Sequence, residues 1–151
     1  MNVNKLLVSV SLFLVISIAV ASFTSKVPNT SFLNTIYTVS GIMFSIGMGV
    51  LCTLNPDKVK NDLLYKSIKS NVLAVRDSYL VYFLIISSVY LIYQIYPDAK
   101  FVKSIGKVQI TFDLAYAATF LNILGILYFI ANFMQIQKLG LDISDRVRNS
   151  E

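Results

Sequence analysis

Four charge-free apolar runs divide the chain, at residues 6–23, 32–54, 79–96 and 114–137, the last helix taken to begin near residue 110. A helix crosses a hydrocarbon core of about 30 Å with roughly 17–25 apolar residues, and all four runs meet that length. Helices are preferred because unpaired backbone groups in lipid cost several kcal/mol each, and an open sheet leaves such groups along its edges. Barrel strands would be about 9–11 residues long with strict alternation, and these runs are longer and continuously apolar. The pattern therefore predicts an all-α integral membrane protein: a four-helix transmembrane bundle forming one domain over residues 1–151. The connection near residues 24–31 is short and makes the first two helices an antiparallel hairpin.

Residues 55–78 form a 24-residue polar insert. It opens Asn55-Pro56-Asp57, an N-cap followed by proline and an acid at the positive end of a helix. Leu64, Ile68, Val72 and Val75 then recur on one helical face, with Lys66 and Lys69 off it. The insert reads as an amphipathic helix on the membrane surface, with basic residues toward anionic headgroups. Lys138 and Gly140 suit the end of the last helix. Residues 139–151 then make a polar tail, helical only in part.

Composition sharpens this picture. The chain is 56% hydrophobic and 14% charged, against roughly 45–50% and 25% for soluble domains. It contains no histidine, which removes histidine-based metal sites, histidine bases and Ser-His-Asp triads. The single cysteine, Cys52, forms neither an internal disulfide nor a metal cluster. It reads as a small apolar core residue, with palmitoylation as the alternative. Gly-rich phosphate loops and nucleophile elbows are absent from the sequence. No cofactor, metal or catalytic residue is expected. The net charge of +5 is assigned to the bilayer and not to direct nucleic-acid binding.

Lysines and arginines set the orientation. With the N-terminus in the cytoplasm, nine lie inside (Lys5, Lys58, Lys60, Lys66, Lys69, Arg76, Lys138, Arg146, Arg148) and four outside (Lys26, Lys100, Lys103, Lys107). Both termini are expected in the cytoplasm, with the chain in a bacterial inner membrane. Ala19-Val20-Ala21 matches a signal-peptidase pattern, but the charge-free run reaches Ser25, long enough to span. The segment is therefore read as a retained helix.

Candidate functional residues fall into four groups. Gly41, Ser45, Gly49 and Thr53 form a small-residue stripe on helix two, suited to close packing within the subunit, to an oligomer interface or to a pore wall. Asn122, Gly125 and Asn132, with Ala115 and Ala118, form a second stripe on helix four, read first as interhelical bonding and second as a polar lumen. Asp113 is the acid within an apolar stretch. Near a helix start it would pair with Lys107 or another outer lysine, with an intramembrane ion site as the alternative. Lys58, Lys60, Lys66, Lys69 and Arg76 are candidate contacts for lipid or a partner. Tyr79, Tyr82, Tyr93 and Tyr96 flank helix three and read as an interfacial aromatic belt, whereas the deeper Tyr90 needs a hydroxyl partner.

Size, the four runs and cytoplasmic ends together resemble the membrane subunits of bacterial Kiwa anti-phage systems, the KwaA family. The resemblance lies in layout and not in a motif. It implies a tetrameric inner-membrane sensor or anchor that docks a cytosolic nucleic-acid-binding defence protein, KwaB. The leading expectation is thus a non-enzymatic homo-oligomer with a cytosolic protein partner. The alternatives are an ion channel or membrane-depolarising effector, and a toxin-immunity or superinfection-exclusion protein.

Overall fold

A computed structural model describes residues 3–24, 27–54, 62–105 and 108–148. Their order is α1 (Val3–Phe23), α2 (Thr30–Thr53), α3 (Asp62–Ile95), β1 (Lys100–Ile105), β2 (Val108–Asp113) and α4 (Leu114–Arg148). Three helical stretches, Thr30–Thr53, Tyr65–Ile95 and Leu114–Asp145, are long and apolar enough to cross a membrane. In α1 the described apolar stretch, Val8–Phe23, is shorter.

The bundle is organised around α4, which packs against α1, α2 and α3. Its first turns are buried almost all round, at Ala115, Tyr116, Ala117, Ala118 and Thr119. Small side chains there let three neighbours approach one helix. As a result α1 lies along α4 and β2, not beside α2 as its short connection suggested. The principal core gathers Leu51, Tyr79, Tyr82, Ile86, Leu124, Phe129 and Ile136. A second cluster joins Leu33, Tyr93, Ala115 and Ala118 near the start of α4.

Four features depart from the sequence reading. First, residues 62–95 form one unbroken helix of 34 residues, so the described part of the amphipathic segment continues the third apolar run and is not a separate helix, while the Asn55-Pro56-Asp57 cap lies outside the described residues. Its apolar face is used inside the protein: Ile68 is buried, and Val72 and Val75 pack against the core. Second, the chain is not all-α. Residues 100–113 form an antiparallel hairpin, pairing Lys100 with Asp113, Val102 with Thr111 and Ser104 with Gln109. Third, α4 consequently starts at Leu114 and not near residue 110. Fourth, α4 runs through Gly140 to Arg148. Ile143 in this extension is buried, and packing holds the helix together past the glycine.

The tyrosine belt is also corrected. Tyr79, Tyr82 and Tyr93 are core residues, and of the four flanking tyrosines only Tyr96 is exposed. Each buried ring has a use for its polar edge or its face. The Tyr79 hydroxyl donates to the Phe129 carbonyl at 2.9 Å. Tyr82 stacks on Tyr128 with centroids 3.8 Å apart. Tyr93 shares a 3.2 Å hydrogen bond with Thr30.

Candidate functional site

Asn122 is fully buried where α4 crosses α2. Its Nδ2 donates to the Ala118 carbonyl at 2.8 Å. Its Oδ1 lies 3.1 Å from the Ser40 hydroxyl, which also lies 3.0 Å from the Ile36 carbonyl. The single hydroxyl proton is shared between these acceptors. Such a contact ties two helices at a worth of about 0.6–1.7 kcal/mol in lipid. Asn132, further along, donates to its own helix at Tyr128 O, 2.8 Å. Gly125 lets Ile86 of α3 close in: a methyl group there would collide with the Ile86 side chain. Asn122 and Gly125 of the helix-four stripe are therefore interior to one chain, while Asn132 is half-buried.

The helix-two stripe is the reverse. Ser45, Gly49 and Thr53 are exposed, and a Cβ built on Gly41 or Gly49 meets nothing within 4 Å. The close-packing glycine of α2 is instead Gly47, which is buried under the Tyr79 ring. The buried series Leu33, Ile36, Ser40, Gly47 and Leu51 repeats at helical spacing and marks the true inner face. Cys52 is exposed.

Asp113 is 3% exposed and sits at the base of the hairpin, immediately before α4. Its Oδ1 accepts from the Ala115 backbone N–H at 2.9 Å, and its Oδ2 meets Lys100 Nζ at 3.0 Å. The same residue thus caps a helix and closes a β register. The lysine partner is Lys100, its cross-strand neighbour, while Lys107 lies outside the described residues. Tyr90 finds its partner on α2, donating to Asn34 Oδ1 at 2.9 Å and accepting from Gln94 at 2.7 Å. Among the described residues, no buried side-chain polar atom lacks a hydrogen-bond partner, and no cluster of three potential metal-ligating side chains occurs.

The charged end of the bundle is built by two helices. The start of α3 and the end of α4 lie at the same end, because the hairpin joins their opposite ends. Asn71, Ala74 and Val75 of α3 and Asn132, Gln135, Ile136 and Leu139 of α4 line one cleft of about 300 Å³. Lys66, Lys69 and Arg76 are all exposed and lie beside the Ile68–Val72–Val75 face of the helix. Lys69 Nζ reaches the Tyr65 hydroxyl at 3.4 Å, and Arg76 pairs with Asp77 at 2.8 Å. Lys58 and Lys60 lie outside the described residues.

The architecture defines a helical protein with three membrane-length helices, a hairpin at one end and paired helical extensions at the other. Comparison with known proteins finds no matching family model, no similar curated protein and no similar solved structure.

Proposed function

We propose that the chain is a non-enzymatic, homo-oligomeric membrane subunit whose paired helical extensions dock a soluble partner. The observation that carries this is length. At 1.5 Å per residue, α3 and α4 each run about 50 Å against a hydrocarbon core of about 30 Å. About 20 Å of both helices therefore stands beyond the core at one end. These ends are braced by Ile68, Val72, Val75, Ile136 and Ile143, and the resulting platform exposes Lys66, Lys69 and Arg76. Helix α1, with 21 residues, supplies a fourth crossing of about 31 Å. The excess of basic residues at the platform end supports a cytoplasmic orientation for it, and the membrane is taken to be a bacterial inner membrane.

The exposed Gly41–Ser45–Gly49 face supports the oligomer. Open space over two glycines on a membrane-length helix suits the close approach of another helix. A tetramer docking a nucleic-acid-binding defence protein is the form this takes if the resemblance to Kiwa membrane subunits extends to function. The pore alternative would draw on the exposed polar positions of α2, Asn34, Thr35, Thr38 and Ser45, and not on Asn122, which is sealed between α2 and α4 within one chain.

The test is a mild-detergent pull-down at native expression, compared with the K66E/K69E variant. A soluble protein co-purifying at fixed stoichiometry with the parent chain, and lost from the charge-reversed variant, supports docking. A chain that purifies alone, or a partner indifferent to the reversal, overturns it.

A further inference from the structure

The two faces of the hairpin differ in polarity, and the more apolar one is left exposed. One face carries Lys100, Val102, Gln109, Thr111 and Asp113, and this largely polar face lines a cleft of about 420 Å³ against the end of α1. The contact includes a hydrogen bond from the Thr111 N–H to Ser22 Oγ at 3.0 Å. The opposite face carries Phe101, paired with Phe112, and Ile110, paired with Lys103. Phe101 is 71% exposed and Ile110 39%. The two phenyl rings lie 6.4 Å apart.

That apolar face is continuous with surface that already faces lipid. Phe101 and Leu114 share an open groove of about 700 Å³ with Ile92, Ile95 and Tyr96, at the end of α3, and Asp98 stands at its rim. Leu91, Ile92 and Ile95 are themselves exposed on that helix. Lys103 stands on the same face of the hairpin as Phe101, in the position a snorkelling lysine takes beside lipid phosphates. Two opposing requirements fix the depth. Exposed phenylalanines favour the acyl boundary, while a two-stranded sheet has open backbone edges that cannot enter the hydrocarbon core.

We propose that the hairpin lies in the membrane interface as a lipid-binding paddle. A phospholipid acyl chain fills the groove between Phe101 and the end of α3, and Lys103 meets the lipid phosphate. The proposal rests on the membrane-spanning reading and is independent of the oligomer and of the soluble partner.

The chain has no tryptophan, so F101W carries a single fluorescent reporter at the centre of the proposed contact. The variant is reconstituted into vesicles of phosphatidylcholine and phosphatidylglycerol. These vesicles hold lipids spin-labelled either near the headgroup or near the bilayer midplane. The expected result is blue-shifted emission, stronger loss of intensity from the headgroup-proximal label than from the midplane label, and protection from aqueous iodide. Quenching by iodide with neither lipid label effective means a hairpin in water and overturns the proposal. Protection from iodide and from both labels means a protein surface covers the face, which also overturns it. Stronger loss from the midplane label overturns the interfacial depth. L84W, on the exposed face of α3, is measured in parallel. Its quenching by the midplane label reports the span itself, so failure of the hairpin proposal and failure of the membrane reading are distinguished.

Discussion

Gly47 and Gly49 stand two residues apart on α2, yet one added methyl group has opposite consequences at the two positions. At Gly47 the new Cβ would lie 2.8 Å from the Tyr79 hydroxyl oxygen and 2.9 Å from its Cζ. The ring has little freedom to yield. Tyr79 is fully buried, packs on Phe129 with centroids 5.1 Å apart, and donates to the Phe129 carbonyl. Overpacking of this kind costs about 1–3 kcal/mol. Displacing the ring also weakens a hydrogen bond worth about 0.5–1.5 kcal/mol. Replacing glycine by alanine in a helix returns up to about 1 kcal/mol. The balance for Gly47→Ala is a loss of about 1–3 kcal/mol. At Gly49 nothing lies within 4 Å, so only the helix term remains and Gly49→Ala is neutral or stabilising by up to about 1 kcal/mol. The assay is unfolding from mild-detergent micelles by SDS titration, followed by far-ultraviolet circular dichroism. A Gly47→Ala protein as stable as the parent, or a Gly49→Ala protein that loses as much, refutes the packing argument. In a Tyr79→Leu background the ring is gone, and the Gly47→Ala penalty should fall below about 1 kcal/mol, the coupling expected of residues in contact.

Asp113→Asn removes the ion pair between the buried carboxylate and the half-exposed Lys100 but keeps a capping side chain, so it should cost about 1.5–3 kcal/mol. Asp113→Ala loses the cap as well, adding about 1 kcal/mol; equal losses in the same SDS titration would show that the cap contributes nothing. Ser40→Ala takes the α2 donor from Asn122 and should destabilise by about 0.6–1.7 kcal/mol, with no change indicating that the contact is idle. Gly49→Leu should shift the oligomer to smaller species on native electrophoresis while leaving monomer unfolding unchanged, because the residue faces away from its own bundle; an unaltered oligomer places the interface elsewhere. Deletion from Gly140 onward removes the end of the α4 platform, so a co-purifying soluble protein should be lost while the oligomer persists.

The spans were legible because burial in lipid needs only apolar length, and residues 32–54, 79–96 and 114–137 carry it openly. The hairpin was legible too, but residues 97–108 read as an outer loop and those from about 110 as helix. Val108-Gln-Ile-Thr-Phe-Asp113 alternates apolar with polar residues, is rich in β-branched and aromatic residues, and follows a Gly106-Lys107 pair, all marks of a hairpin strand. Reading residues 110–113 as the first turn of helix four counts hydrophobicity and ignores the period. The tyrosines were misassigned for a related reason. Their positions at the ends of a span suggested a belt, whereas Tyr79, Tyr82, Ile86 and Tyr93 recur on one helical face and together mark a core. On α2 the small residues at fourfold spacing drew attention to the exposed face, while Gly47, on the face of Ser40 and Leu51, carries the close contact. The sequence marks Asp113 as an acid near a helix start with an outer lysine for a partner, but not as the cap itself. Its partner depended on a strand register, which an all-helical reading could not supply.

Native mass spectrometry of the complex released directly from membranes, with the chain at its natural expression level, tests the proposed role most directly. The expected result is a multiple of the 16.9 kDa chain carrying a soluble protein at fixed stoichiometry. Bound phospholipid should be retained on the oligomer after the soluble protein is stripped away. A single chain of 16.9 kDa with no protein attached, from membranes in which other complexes survive intact, would contradict both the oligomer and the docking platform.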